Sequence, residues 1–152
     1  MNESALNEVF RGYGVRFRYP PYWELNEEKS EQQISVTVAS AETSFWSLSL
    51  FFDRPLSEDL LESAVEVFRD EYEECDIYPT ESVVCHRTSV ARDAEFVCLE
   101  LVNSAFLRAI ETNQFTALIL YQGTDTELQE TKEMLEEITA SLECDGDETI
   151  FS

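Results

Sequence analysis

The sequence has little of what a catalytic or cofactor-binding protein needs. Its 152 residues include one histidine, His86, and four glycines. The glycines form neither a Gly-x-Gly-x-x-Gly fingerprint nor a P-loop, and no Gly-x-Ser-x-Gly elbow occurs. His86 adjoins Cys85 in a predicted strand, where neighbouring side chains point to opposite faces. We therefore expect no catalytic residue and no cofactor.

Positive charge is scarce as well. Ten Lys and Arg residues stand against 32 Asp and Glu residues, which gives a formal net charge of −22. Nucleic acids and anionic membrane surfaces attract positive charge, so we expect neither as a partner. No apolar run approaches the ~18 residues of a membrane span, and the first residues lack the pattern of a secretory signal. We expect a soluble cytoplasmic protein, monomeric or homodimeric.

Cysteines are too few and too widely spaced for a disulfide scaffold or a zinc site. The four residues are Cys75, Cys85, Cys98 and Cys144. We expect packing thiols and no bound metal. One alternative stays open, because a hairpin pairing residues 82–86 with 94–101 would place Cys85 nearly opposite Cys98 and permit a disulfide.

Apolar content is sufficient for a core, with 43% hydrophobic and 12% aromatic residues. We expect a single domain over residues 1–152, ordered over about 12–144. Alternating and apolar runs predict strands at 14–19, 34–39, 45–52, 77–86, 94–102, 105–111 and 115–121. Periodic apolar residues predict helices at 57–74, capped by Ser57, and at 125–143, capped by a Thr124–Glu127 capping box. Gly146 is expected to stop the second helix before a frayed tail.

The order of elements favours an antiparallel sheet. Strands, a helix, more strands and a helix follow one another without the alternation of a parallel fold. The run 94–102 is apolar on both faces, which is typical of a central strand, and breaks at Asn103–Ser104 and Thr112–Gln114 predict hairpin turns. We predict an α+β fold in which about six to eight antiparallel strands carry helices on both faces, an α/β/α sandwich.

The opening strand and turn, GVRFRYPPYW at residues 14–23, resemble the start of a known fold family. It is the fold shared by the photosystem II oxygen-evolving subunit P and the nuclear-transport factor that binds the GTPase Ran. The element order over about residues 14–143 is similar too. The resemblance implies an antiparallel sheet sandwiched by helices and a non-enzymatic role in binding or assembly. Small acidic bacterial proteins of this class include chaperones for type VI secretion effectors. The resemblance assigns no binding residue.

Charge distribution supplies the main functional prediction. Both predicted helices are strongly acidic, whereas several arginines lie on the predicted strands, so the sequence predicts a basic patch against acidic flanks. The residues that we expect at a protein interface are Arg16, Arg18, Trp23, Trp46 and Arg108. The leading function is a non-catalytic protein-binding module, an adaptor or a chaperone.

Two alternatives to protein binding are kept. The first is a carrier that holds a small or apolar ligand between sheet and helix. The second is a carboxylate-based hydrolase, for which Glu95 and Glu100 are the candidates, although we expect both to face solvent. A pocket of ~300 Å³ or more with converging polar groups would favour these alternatives, and an exposed apolar patch would favour a partner protein.

Overall fold

The computed structural model describes residues 6–144. Within that range the elements follow the order β1 (Glu8–Gly12), β2 (Val15–Tyr19), β3 (Glu24–Lys29), β4 (Gln33–Ala39), β5 (Phe45–Phe51), α1 (Ser57–Glu71), β6 (Cys75–Val84), β7 (Arg87–Cys98), β8 (Leu101–Glu111), β9 (Thr116–Thr124), α2 (Asp125–Ala140) and β10 (Glu143–Cys144). Gly146, the acidic tail and the first five residues lie outside the described residues.

The strands form two sheets. The large sheet has seven strands in the order β3-β4-β5-β9-β8-β7-β6, and the small sheet has three in the order β1-β2-β10. Every pairing is antiparallel. β6 is an edge strand, which accommodates Pro79 because an edge residue need not donate to a second neighbour. The predicted α+β class with an antiparallel sheet and helices on its faces is confirmed.

The two faces of the large sheet are covered differently. Helix α2 and the small sheet cover one face, where Phe17, Trp46 and Leu135 are each 0% exposed. Helix α1 covers the other face over β7 and β8, and Phe68 packs there against Phe96. The core therefore lies in two layers, one on either side of the sheet.

β9 holds the central position of the large sheet, and its neighbour β8, not the run 94–102, is the interior strand that is covered on both faces. Residues 105–110 are buried on both faces, with Phe106 and Ile110 toward α2 and Leu107 toward α1. The apolar run 94–102 instead spans the end of β7, a turn and the start of β8. The predicted strand is wrong because a turn interrupts the apolar run.

That turn lies at Leu99–Glu100, and the predicted break at Asn103–Ser104 is wrong. Cys98 pairs with Leu101 across it, and both turn residues have positive φ values of 54° and 68°. Two-residue turns of this kind favour Asn, Asp and Gly. The sequence offers none of them here, so the usual turn signal is missing.

A second two-residue turn, Cys85–His86, removes the alternative of a Cys85–Cys98 disulfide. The φ values are 53° and 65°, and β7 begins directly after the turn at Arg87. Cys98 lies at the opposite end of the 12-residue strand β7. A Cys85–Cys98 disulfide is therefore excluded by this hairpin, and His86 lies in a turn and not in a strand.

Helix boundaries differ from the predictions for local reasons. α1 ends at Glu71, three residues early, because Cys75 already begins β6. Its N-cap residue is Leu56 and not Ser57, and the Ser57 N–H donates to Glu111 Oε2 at 2.7 Å. A carboxylate from the end of β8 thus replaces the expected local cap.

The C-terminal helix is also shorter than predicted. α2 ends at Ala140, and Glu143–Cys144 form β10 instead of continuing the helix. At the other end of the chain, β1 lies before the predicted ordered core, and Leu6 is only 5% exposed. Neither described helix is long and apolar enough to cross a membrane.

Candidate protein-binding surface

Both predicted tryptophan anchors are buried. Trp46 is 0% exposed, and its indole Nε1–H donates to Thr139 Oγ1 of α2 at 2.8 Å. Trp23 is 7% exposed and belongs to the same core. An interface anchor must present side-chain area to its partner, and in this conformation neither residue has that area to present.

Arg108 lies apart from the other predicted arginines. It is on β8, 8% exposed, and donates to Asp93 Oδ1 at 2.9 Å. Its guanidinium also lies over the Phe106 ring. Because a buried charge is tolerated when it is paired, this arginine is explained by its contacts within the molecule.

Arg16 and Arg18 do lie together, and they are joined by Arg11. The three line a surface groove of about 420 Å³, hereafter the arginine groove, with Val9, Ala140, Ser141 and Glu143. Arg11 is directly opposite Arg16 in the β1–β2 ladder. Arg16 forms an ion pair with Glu143, whereas within residues 6–144 no ion pair joins Arg11 or Arg18. Arg11 was missed because no strand was predicted at residues 8–12.

The strongest surface feature is apolar and lies at the β7–β8 turn. Leu99 is 90% exposed, Leu101 53% and Val102 48%. We call these three residues the hairpin tip. Single exposed apolar residues are common on proteins, whereas here three lie within the four consecutive residues 99–102.

The backbone under the hairpin tip is unfavourable for the residues it carries. A non-glycine residue in the left-handed region costs roughly 1–2 kcal/mol, and a bulky side chain is rare there. Leu99 and Glu100 both occupy that region. Leu99 gains little burial in return, so its side chain is not explained by the stability of the described fold.

Two open grooves flank the hairpin tip, and both are acidic. One, of about 500 Å³, is lined by Glu71, Tyr72, Glu73, Glu74, Val97, Cys98 and Leu99. The other, of about 630 Å³, is lined by Glu100, Leu101, Val102, Thr124, Asp125 and Thr126. The linings contain five carboxylates and no lysine or arginine, so the apolar tip stands in a negative field.

Glu127 joins the first turn of α2 to the β4–β5 turn. Its carboxylate accepts hydrogen bonds from the Thr43 N–H at 2.8 Å, from the Ser40 hydroxyl at 3.0 Å and from the Thr43 hydroxyl. Burial raises the pKa of Glu127, but these hydrogen bonds outweigh it and hold the pKa below its ordinary value. The predicted Thr124 cap is confirmed at 3.2 Å, while Glu127 binds the β4–β5 turn instead of closing the box.

The residues considered for catalysis in the sequence lie at the surface. Glu95 and Glu100 are exposed, as the solvent-facing interpretation expected, and Glu100 lies in the turn. His86 is exposed as well. Within residues 6–144 no group of three His, Cys, Asp or Glu residues is arranged to hold a metal ion.

Sequence reasoning missed the hairpin tip. Its signal is present as Leu99, Leu101 and Val102, which continue an apolar run on both sides of a turn. Because the turn residues are not turn formers, the sequence pattern predicts one continuous buried strand here. The acidic helices around it are predicted only as flanks of a basic patch.

Comparison with solved structures places the fold. PsbP (CyanoP) of Synechocystis sp. PCC 6803 superposes with a TM-score of 0.57 at 16% identity, covering 93% of this chain and 94% of that one. A protein of Bacteroides thetaiotaomicron also gives 0.57, at 14% identity over 86% of this chain, which spans 45% of that protein's length. LpqN of Mycobacterium tuberculosis, involved in cell envelope biogenesis, gives 0.51 at 9% identity, covering 85% and 82%.

These similarities concern the fold alone. No protein-family model matches the chain, and no curated protein matches it in sequence. The expected resemblance to the photosystem II subunit is confirmed as a PsbP-like fold at low sequence identity. The resemblance to the Ran-binding nuclear-transport factor stays a prediction.

Proposed function

We propose that the chain is a non-catalytic protein-binding module that uses the hairpin tip to contact its partner. The observation that carries this proposal is Leu99, a bulky apolar side chain that is 90% exposed at a positive φ of 54°. A residue that costs stability in the free molecule and gains no burial is explained when another chain buries it.

The surroundings of the hairpin tip define the chemistry of the partner. The five carboxylates are those of Glu71, Glu73, Glu74, Glu100 and Asp125. A segment with apolar side chains for the tip and Lys or Arg for the grooves matches both features. Electrostatic attraction of this kind raises association rates and falls with salt.

The carrier alternative has less support. A ligand between sheet and helix would need space near Trp46, Leu135 and Ile138, and each of these is 0% exposed in a closed core. The grooves of about 500 Å³ and 630 Å³ exceed the size expected of a ligand site, but they are open at the surface, around the hairpin tip.

Selection from a displayed random-peptide library tests the proposal without a known partner. We expect enriched peptides to contain both apolar and basic residues. Their affinity should fall at least about tenfold on Leu99→Asn, which corresponds to about 1.4 kcal/mol of lost contact. The matched control is Val83→Thr, because Val83 is also exposed, at 70%, but lies on edge strand β6.

Three outcomes would overturn the proposed surface. They are a failure to enrich any peptide, equal binding by Leu99→Asn and wild type, and an equal loss on Val83→Thr. Sedimentation of the chain alone supplies the remaining check. Self-association that Leu99→Asn abolishes would assign the hairpin tip to a second copy of this chain.

Arg16 and Arg18 remain proposed contacts for an acidic segment in the arginine groove. Like charges directly opposite on neighbouring strands are destabilising, and Arg11 faces Arg16 in this way. Acidic peptides should bind with an affinity that Arg18→Gln lowers several-fold and that Leu99→Asn does not change. Equal binding by wild type and Arg18→Gln would remove this second surface.

A further inference from the structure

We propose that Cys85 and Cys144 form a redox-sensitive pair that closes a disulfide between the β6–β7 turn and β10. Their Sγ atoms lie 3.2 Å apart. The two residues are 59 positions apart in sequence, so the fold and not local spacing brings them together. The inference is independent of the proposed protein-binding function.

The geometry leaves a short path to the bond. A disulfide has an S–S length of about 2.05 Å, so the sulfurs need to approach by roughly 1 Å. Cys85 is half-buried and lies in a two-residue turn, while Cys144 is 5% exposed in β10. Cys85 is therefore the sulfur that a small oxidant reaches first, and Cys144 is the sulfur placed to react with it second.

The chemistry balances with a low-molecular-weight disulfide such as oxidised glutathione. The Cys85 thiolate attacks one sulfur of the reagent and forms a mixed disulfide, releasing one glutathione thiolate. The Cys144 thiolate then attacks Cys85 Sγ and releases the second. Two protein thiols are oxidised by two electrons, the reagent is reduced to two thiols, and both protons end on glutathione.

The bond would join the two sheets at one point. β10 has only two residues and pairs with β2 of the small sheet. Cys85 belongs to the turn between two strands of the large sheet. A covalent link here restricts the unfolded chain over a long loop and prevents β10 from separating from β6 and β7.

Fixing β10 also fixes one wall of the arginine groove. Glu143 precedes Cys144 and forms its ion pair with Arg16. The oxidised protein should therefore hold this carboxylate beside Arg16 more persistently than the reduced protein.

The other two cysteines provide internal controls. Cys98 ends β7, at the opposite end from Cys85. Burial raises the pKa of the Cys75 thiol, which disfavours the reactive thiolate there. Within residues 6–144 no sulfur contact joins Cys75 to Cys98.

Oxidation with a glutathione redox buffer tests the pair on the full chain. We expect loss of two hydrogen masses, a Cys85–Cys144 link in the peptide map, and a Tm raised by about 10 °C. Dithiothreitol should reverse all three. Cys98→Ser should behave as wild type, and Cys85→Ser should show neither the link nor the shift.

Several results would overturn the proposal. They are a link between any other two cysteines, glutathione left on Cys85 without closure, and no loss of mass in a buffer that oxidises exposed dithiols. A mapped Cys85–Cys144 link with an unchanged Tm would contradict the inferred fixing of β10. If Cys85→Ser fails to fold, Cys144→Ser and a comparison of wild type before and after reduction answer the same questions.

Discussion

The two turns at the ends of β7 have the same backbone conformation but differ in the contacts and the exposure of their side chains. Each has two residues with positive φ, Cys85–His86 at one end and Leu99–Glu100 at the other, and none of the four is Gly, Asn or Asp. Cys85 Sγ lies 3.4 Å from the Leu142 carbonyl oxygen and 3.2 Å from Cys144 Sγ. Leu99 is 90% exposed.

The difference separates two explanations for a strained residue. At the Cys85 turn, contacts with β10 and the preceding residue Val84, which is 3% exposed, offset the cost of the backbone. At the Leu99 turn the described residues offer no comparable burial. A strained backbone whose cost is offset by packing contacts serves the fold. A strained backbone without such contacts indicates a functional surface.

The largest expected effect comes from truncating one valine beside each of the two turns. Val84→Ala should cost about 2 kcal/mol and lower the Tm by roughly 4–8 °C, because it opens a cavity in the core beside the Cys85 turn. Val102→Ala should change stability by less than about 0.5 kcal/mol, since this side chain is 48% exposed. Urea unfolding of both variants measures the contrast, and equal losses would contradict the division into a packed turn and an open one.

The next effect concerns the hydrogen bonds that join α2 to the β4–β5 turn. Glu127→Gln removes the charge that accepts hydrogen bonds from Thr43 and Ser40, and should cost about 1–2 kcal/mol at neutral pH. Because the folded pKa of Glu127 is lowered, its contribution is full above the unfolded value and is lost as pH falls through the folded value.

Stability measured from pH 7 down to pH 3 checks the sign. The wild type should lose more stability on acidification than Glu127→Gln, and the two curves should converge at low pH. Glu130→Gln is the control, since Glu130 is exposed on the same helix. Parallel curves for wild type and Glu127→Gln would mean that the carboxylate does not support the β4–β5 turn.

Much of the fold could be predicted because its signals are local. The alternation in β4 and β5 and the Thr124 cap of α2 stand in the sequence at their observed positions. The predictions fail where residues that are distant in the sequence determine the local structure. Glu111 caps α1 across 54 positions, and Glu143–Cys144 leave the helical pattern because β2 offers them a pairing partner.

The candidate site was predicted only in part for the same reason. Arg16 and Arg18 share a strand face by alternation, so their grouping was predictable. The sequence pattern does not show that α2 covers Trp46, which was predicted as an interface residue. The hairpin tip depends on a turn made by Leu99 and Glu100. Turn propensity, derived from residues that favour positive φ, gives no sign of it.

Replacing each turn by favourable turn residues sharpens the comparison. Leu99→Asn with Glu100→Gly should raise stability by about 1 kcal/mol, or the Tm by roughly 2–4 °C, while abolishing peptide binding. Cys85→Asn with His86→Gly should gain less or lose stability, because the contacts of Cys85 disappear. A tip replacement that destabilises the protein would show that Leu99 and Glu100 serve the fold.

The smallest expected effect comes from single surface charges, one in the first groove beside the hairpin tip and one in the arginine groove. Glu73 and Glu74 line the first groove beside Glu71, where like charges repel, so Glu74→Gln should raise the Tm by about 1 °C at low salt. Glu143→Gln removes the partner of Arg16 and should lower the Tm by a similar amount. Since exposed charges are screened beyond about 8–10 Å at physiological ionic strength, both shifts should shrink in sodium chloride.

Wild type, with its net charge of −22, should melt at a higher temperature as salt is added. Thermal melts of the three proteins at low and moderate salt measure these signs, and a wild-type Tm that falls with salt would mean that attractive ion pairs outweigh the repulsion around the hairpin tip.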